Sequence, residues 1–189
     1  AQRDALLVLG SGDINAAIIN LDQRQNTSEL VKLRGVELTA LIPLDFVTRG
    51  LGINANYTHI EQESEGAPPS GAGTSALGSG VTGLSPNTYN VTVYYERGPF
   101  SARASYNYRD TYISSLGPQN NFPGDTYRRG SKTLDGSITY RLPRNITLSL
   151  EGQNLLEEEQ LFYINDDDSL PYSANAAGRQ FVIGLRGRF

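Results

Sequence analysis

From about residue 36 to residue 189 the chain alternates apolar and polar side chains with a period of two, in short blocks. Alternate residues of a strand point to opposite faces, so each block presents one apolar and one polar face. Val36, Leu38, Ala40 and Ile42 oppose Glu37, Thr39 and one exception, Leu41. Leu51, Ile53, Ala55 and Tyr57 oppose Gly52, Asn54, Asn56 and Thr58; Tyr89, Val91, Val93 and Tyr95 oppose Asn90, Thr92, Tyr94 and Glu96. Phe100, Ala102, Ala104, Tyr106 and Tyr108 oppose Ser101, Arg103, Ser105, Asn107 and Arg109. Three further blocks put Leu134–Tyr140, Ile146–Leu150 and Phe181–Phe189 in the same register. Seven strands follow, and a blurred pattern around Ile14, Ile18 and Ile19 suggests an eighth within residues 4–22.

The links between blocks are short and long by turns. The short ones, 43–50, 97–99 and 142–145, each contain Pro or Gly suited to a tight reversal. The long ones, roughly 62–86, 110–131 and 156–178, are expected to be loops, with residues 64–83 a flexible Gly/Ser/Ala/Pro-rich stretch. Membrane barrels have this asymmetry, with short turns on the periplasmic side and long loops outside. A soluble sandwich has no reason to alternate its loop lengths so strictly.

Composition is consistent with that choice. The chain of 189 residues is 38% hydrophobic, which resembles a soluble protein. A barrel, however, shows lipid only every second residue and averages to mild polarity. No run approaches the roughly 20 apolar residues of a spanning helix. There is no cysteine, which excludes disulfides and thiolate metal sites, and a net charge of -4 without a basic block argues against nucleic acid as a partner. The chain lacks methionine, even at position 1, and shows no signal peptide, which leads to the expectation of a processed or truncated product.

Tyr57, Tyr95, Phe100, Tyr108, Tyr140, Phe181 and Phe189 fall mostly near block ends on the apolar face, where interfacial belts form. The opposite face carries Arg103, Arg109, Asp135, Arg141, Glu151, Arg186 and Arg188. Pointed at lipid near the midplane, such groups would cost about 2–4 kcal/mol each for Arg. They are expected to face a wet lumen.

These residues resemble the C-terminal barrel region of TonB-dependent receptors from about residue 13 onward. The similarity is carried by Gly35-Val36-Glu37-Leu38 before Pro43-Leu44, by Asn56-Tyr57-Thr58, by Ser105-Tyr106-Asn107-Tyr108-Arg109 and by Leu150-Glu151-Gly152-Gln153-Asn154-Leu155. The final segment, with Phe181, Ile183, Leu185, Gly187 and the terminal Phe189, is similar to the signal read by the barrel-assembly machinery. The resemblance implies an all-β, antiparallel transmembrane barrel of about 22 strands, of which these are about eight C-terminal ones. It also implies a bacterial outer-membrane setting with lipid and lipopolysaccharide around the barrel. The plug, the N-terminal strands and the contact to TonB would lie in the remainder of the receptor, so residues 1–189 are expected to contain no plug domain. The implied function is energised uptake of a ligand such as a siderophore or glycan, with cobalamin and peptide also open. The alternative is a free-standing small outer-membrane barrel with a structural or adhesive role.

No catalytic residues and no cofactor are expected. The single histidine, His59, stands near Glu61 and Glu63 at a strand end, without a partnered nucleophile. Glu157-Glu158-Glu159 and Asp166-Asp167-Asp168 could attract Ca²⁺ but lack the Gly-punctuated spacing of a dedicated loop, so no metal site is assigned. Lys32 and Arg34 share the parity of the apolar stripe just beyond its start, where they could meet lipopolysaccharide phosphates. For ligand contact the best candidates are Tyr112, Tyr127, Arg128, Arg129 and Tyr163 in the long links: rings to stack on sugars or chelates, guanidinium groups for anions.

Overall fold

The computed structural model describes residues 30–65, 81–117 and 124–187. The eighth strand expected within residues 4–22, most of the Gly/Ser-rich stretch and Phe189 lie outside the described residues. Within them the fold is all-β and antiparallel, with eleven strands in two sheets. The larger sheet holds seven strands: β1 (Leu30–Pro43), β2 (Leu51–Glu65), β3 (Asn87–Arg97), β4 (Phe100–Arg109), β7 (Ser131–Leu142), β8 (Ile146–Gln153) and β11 (Gln180–Gly187). These match the seven alternating blocks one for one, each next to its neighbour in sequence. The smaller sheet, in the order β10-β9-β6-β5, is built from β5 (Tyr112–Ser115), β6 (Thr126–Arg128), β9 (Glu159–Ile164) and β10 (Asp167–Ala176).

That second sheet corrects the reading of the links 110–131 and 156–178 as plain loops. Its strands run from three to ten residues with irregular registers, so they leave little period-two signal. The acidic segment 166–168 also has a structural role here. Asn165 and Asp166 both take left-handed φ values, 57° and 56°, between the paired residues Ile164 and Asp167. This is the geometry of a two-residue hairpin, which Asn and Asp tolerate better than other side chains bearing a Cβ.

Register turns the alternation of each strand into continuous rows across the large sheet. One apolar row crosses all seven strands as Ile42, Ile53, Val93, Ala104, Gly136, Gly152 and Phe181. On the other face Thr39, Asn56, Asn90, Asn107 and Thr133 lie opposite one another in turn. Asn56 Nδ2 donates to Glu37 Oε1 and Thr39 Oγ1, both at 3.0 Å. Asn90 donates to Asn107, whose own amide reaches Thr133 Oγ1 at 3.3 Å. One row lower, the hydroxyls of Thr92 and Ser105 are 2.9 Å apart. The polar face thus satisfies its side chains sideways, from strand to strand.

The apolar face is bare. Leu38, Ile138, Leu150, Phe181, Ile183 and Leu185 are all exposed, Ile183 at 77%. Among the described residues the buried hydrophobic side chains are Ile113, Tyr163 and Ile164, all in the smaller sheet. A water-soluble fold places its largest apolar surface inside. Here that surface belongs to the seven-stranded sheet and is largely exposed among the described residues, as expected where lipid is the solvent. The sheet is open, since β1 and β11 are its outer strands and do not pair with each other.

Rings mark two levels on this face. Tyr57, Tyr89 and Tyr108 form one row, with Tyr89 and Tyr108 stacked at 4.6 Å. Toward the short links, Phe100 and Tyr140 are paired, and Tyr95 packs against Phe100 at 5.9 Å. Six residues separate Tyr89 from Tyr95 along β3, about 20 Å of strand. The usual tilt projects that to about 15 Å along the membrane normal, within the apolar band of an outer-membrane barrel, about 25 Å tall.

Candidate ligand-binding site

The smaller sheet grows from the end of the large one that carries the long links. β4 ends at Arg109, and only Asp110 and Thr111 separate it from β5, which begins at Tyr112. Arg109 shares the parity of the polar face and ties the two sheets together: its Nε donates to Ser85 Oγ at 2.6 Å and its Nη2 to the Gly83 carbonyl. The Gly83 amide in turn donates to the Ile113 carbonyl at 2.8 Å. All three long links therefore meet here, because β6 pairs with both β5 and β9.

Four of the five residues predicted to contact ligand are brought together by this register. Tyr127 lies opposite Tyr163, and their rings are nearly parallel at 5.7 Å and 12°. Ile113, opposite Tyr127, completes that face, and Tyr163 is only 5% exposed. On the other face Tyr112 lies opposite Arg128, which lies opposite Phe162. Arg128 donates to the Tyr112 hydroxyl at 3.1 Å and stands 5.9 Å from each of the Tyr112 and Phe162 ring centres. Arg109 sits over the Tyr112 ring at 3.9 Å from its centre. The result is a ladder of cation, ring, cation, ring. Arg129, the fifth, is exposed just past β6 and held by its amide to the Leu161 carbonyl at 2.9 Å.

Sequence reasoning missed Arg109 and Phe162 as members of this group. Arg109 was legible only as a lumen-facing strand residue, although its place at the end of an alternating block next to a long link was a usable signal. Phe162 precedes Tyr163 in an aromatic pair, and adjacent strand residues divide between faces.

The electrostatics keep the two stacked tyrosines neutral. Burial is the main cause raising the Tyr127 hydroxyl above its ordinary value, with the charges of Asp166 and Asp125 adding to it. Burial likewise raises Tyr163, aided by Asp166, whose Oδ1 accepts from its hydroxyl at 3.4 Å. Asp167 is held below the usual carboxylate value by the hydroxyl and amide of Ser169, at 2.7 and 3.0 Å. At neutral pH the sheet offers phenol donors and guanidinium groups beside aromatic faces, a combination suited to flat or anionic polar molecules.

Other expected features are located as well. Lys32 and Arg34 lie directly opposite Glu63 and Glu61 on β2, so acids accompany these cations at the level where lipopolysaccharide contact was expected. The His59 ring contacts Asn87 Oδ1 at 2.9 Å and Glu61 Oε1 at 3.4 Å, and neither is a nucleophile. Glu157 is paired with Arg179 at 2.9 Å, and among the described residues no group of three or more His, Asp or Glu could hold a metal ion. The four described assembly-signal positions, Phe181, Ile183, Leu185 and Gly187, lie on β11.

The family model for the TonB-dependent receptor-like β-barrel matches residues 2–155. No curated protein and no solved structure matches the chain.

Proposed function

This chain belongs to the TonB-dependent receptor-like β-barrel family, and on that premise we propose that it is the C-terminal part of an outer-membrane receptor for energised ligand uptake. A receptor and transport role in general is that of the family, which is not an enzyme family. The finer reading concerns what this part of the chain contributes. Its seven strands form wall, with the apolar face toward lipid and the polar face toward a lumen. The observation that carries this reading is the bare apolar face of a sheet whose other face is hydrogen-bonded from strand to strand. An open strand edge is not tolerated in hydrocarbon. Among the described residues β1 and β11 have one unpaired edge each, and the strands that cover those edges are assigned to the remainder of a barrel of about 22 strands. That remainder would also supply the plug and the TonB contact.

The smaller sheet is the ligand platform on the outer side, with Tyr112, Tyr127, Arg128, Arg129 and Tyr163 as contact residues and Arg109 and Phe162 as their supports. A ferric siderophore or an acidic glycan suits its mixture of rings and guanidinium groups. The alternative of a free-standing small barrel gains no support from the sheet, whose outer strands remain apart. The test is uptake by cells expressing the full-length receptor, with labelled ferric siderophores and labelled oligosaccharides as probes, in the presence and absence of TonB. The reading predicts TonB-dependent uptake of one probe class, reduced by Arg128→Ala at unchanged receptor abundance in the outer membrane. Recovery of the receptor in a water-soluble fraction would overturn it.

A further inference from the structure

The seven-residue link between β1 and β2, residues 44–50, is unlike the other two short links. Gly98-Pro99 and Pro143-Arg144-Asn145 contain no Leu, Ile, Val or aromatic residue, whereas this link holds out Phe46, 83% exposed, and Val47 beside it. That exposure belongs to an ordered turn. The Leu44 amide donates to the Leu51 carbonyl at 2.8 Å, and the Val47 and Thr48 amides donate to the Leu44 carbonyl at 2.9 and 3.1 Å. Asp45 Oδ1 accepts from the Gly50 amide at 2.8 Å. The Gly50 carbonyl accepts from the Glu96 amide at 2.8 Å, which ties the turn to the end of β3. Gly50 takes a φ of 87°, and a Cβ there would collide with the Glu96 carbonyl. Fixed in this way, the turn holds Phe46 and Val47 away from the sheet.

The level and the charge of this turn favour one occupant, the lipid leaflet. Leu44 is bonded to Leu51 where the turn begins, and Leu51 is the register partner of Tyr95. The turn therefore starts at the ring level of Tyr95, Phe100 and Tyr140 on the apolar face. Phe46 lies two residues further on, at most about 7 Å of chain. Interfacial side chains enter the headgroup–acyl boundary over about 5–10 Å. Two cations stand at the same rim. Arg49 precedes Gly50 and Arg97 follows Glu96, so the Gly50–Glu96 bond lies beside both, and Arg97 has the parity of the apolar face. Both are exposed, and among the described residues neither side chain is engaged in an ion pair or hydrogen bond. Of the acids nearby, Asp45 is taken up by the Gly50 amide and Glu96 has the parity of the polar face. Resting on the membrane-barrel reading above, we propose that the β1–β2 turn anchors the barrel in the leaflet on the short-link side. Phe46 and Val47 insert at the headgroup–acyl boundary, and Arg49 and Arg97 bind the phosphates of anionic phospholipids.

The test uses the full-length receptor, cleared of any other cysteine and reconstituted in phosphatidylcholine vesicles with and without phosphatidylglycerol. An NBD fluorophore is placed at Val47→Cys, and in a second sample at Ala104→Cys on the apolar face. The label at 47 is expected to emit to the blue of its value in water, to resist aqueous iodide and to be quenched by lipids carrying a nitroxide near the headgroup. Phosphatidylglycerol should increase the blue shift. Phe46→Ser should abolish the protection from iodide, and Arg49→Gln/Arg97→Gln the dependence on phosphatidylglycerol. Heat-modifiable gel mobility verifies that each variant is a folded barrel, and Arg49→Gln alone serves where the double variant does not fold. Iodide access at 47 with lipid contact at 104 would overturn the anchor and leave the barrel reading intact. Protection of 47 from both iodide and lipid nitroxides would also overturn it, since protein would then cover the turn. A blue shift indifferent to phosphatidylglycerol would overturn the part given to the two arginines. Iodide access at both positions would overturn the anchor and the barrel reading together.

Discussion

The ring of Tyr94 lies over Gly52, its register partner across β2 and β3, on the polar face of the large sheet. A Cβ at residue 52 would fall 2.9 Å from Tyr94 Cε1 and closer still to Cζ and the hydroxyl. The glycine is thus the space the ring occupies. Gly52→Ala is expected to push the ring off its neighbour and destabilise the barrel by about 1–3 kcal/mol, in the range of overpacking. In a Tyr94→Ala background the same change should cost little, since the clash is gone. Denaturant unfolding of the four members of that cycle measures the coupling.

The two faces of β3 predict opposite responses to charge. Val91 shares the apolar face and Thr92 the polar one. Val91→Arg should cost about 2–4 kcal/mol if its site is near the bilayer midplane, whereas Thr92→Arg should be close to neutral. Unfolding free energies in lipid vesicles compare them directly. Equal costs would contradict the facing assigned to every strand of the sheet.

Tyr163 is the most buried ring described, 5% exposed and stacked on Tyr127. Tyr163→Ala removes that stack and leaves a void beside Ile113, a loss of about 3–5 kcal/mol by analogy with other buried aromatic truncations. The smaller sheet has few strands over which to spread such a loss. Limited proteolysis should then cut within 110–130 and 156–178, while the large sheet stays resistant.

The same tyrosines give the smaller sheet an alkaline limit. Their folded-state pKa values are raised, mainly by burial. A raised value stabilises the protonated form, so the contribution is complete below the unfolded pKa of about 10 and is lost as pH climbs through the folded value. Asp167 acts in the opposite sense: Ser169 lowers its folded pKa, so its contribution is present above the unfolded value and lost as pH falls through the folded one. Protease sensitivity of the long links should therefore rise at both extremes of pH. Tyr163→Phe should move the alkaline limit and Asp167→Asn should remove the acid dependence of the 165–166 hairpin.

How much of this was legible in the sequence depends on length and regularity. The seven strands of the large sheet run from eight to fifteen residues and alternate over most of their length, so they are visible without tertiary information. β6, with three residues, is too short for any period to show, and β5 and β10 carry register shifts that disturb it. Part of the site was visible because Tyr and Arg stand out in a loop. Their pairing was not: Tyr127 with Tyr163 joins two separate links through β6, and Tyr112 with Arg128 rests on strands of only four and three residues. Arg109 shows the same limit, as its role depends on Ser85 and Gly83, more than twenty positions away.

The facing of the large sheet is the central claim, and β4 tests it most directly. This chain has no cysteine, so single cysteines from Phe100 to Arg109 can carry spin labels one at a time in a full-length receptor cleared of any other cysteine and reconstituted in lipid vesicles. Power-saturation spectra would compare access to oxygen, which partitions into lipid, with access to a water-soluble nickel chelate. Labels at Ala102, Ala104 and Tyr106 should favour oxygen, and labels at Arg103, Ser105 and Asn107 the chelate, in strict alternation. Uniform access to the chelate along the strand would contradict a membrane wall.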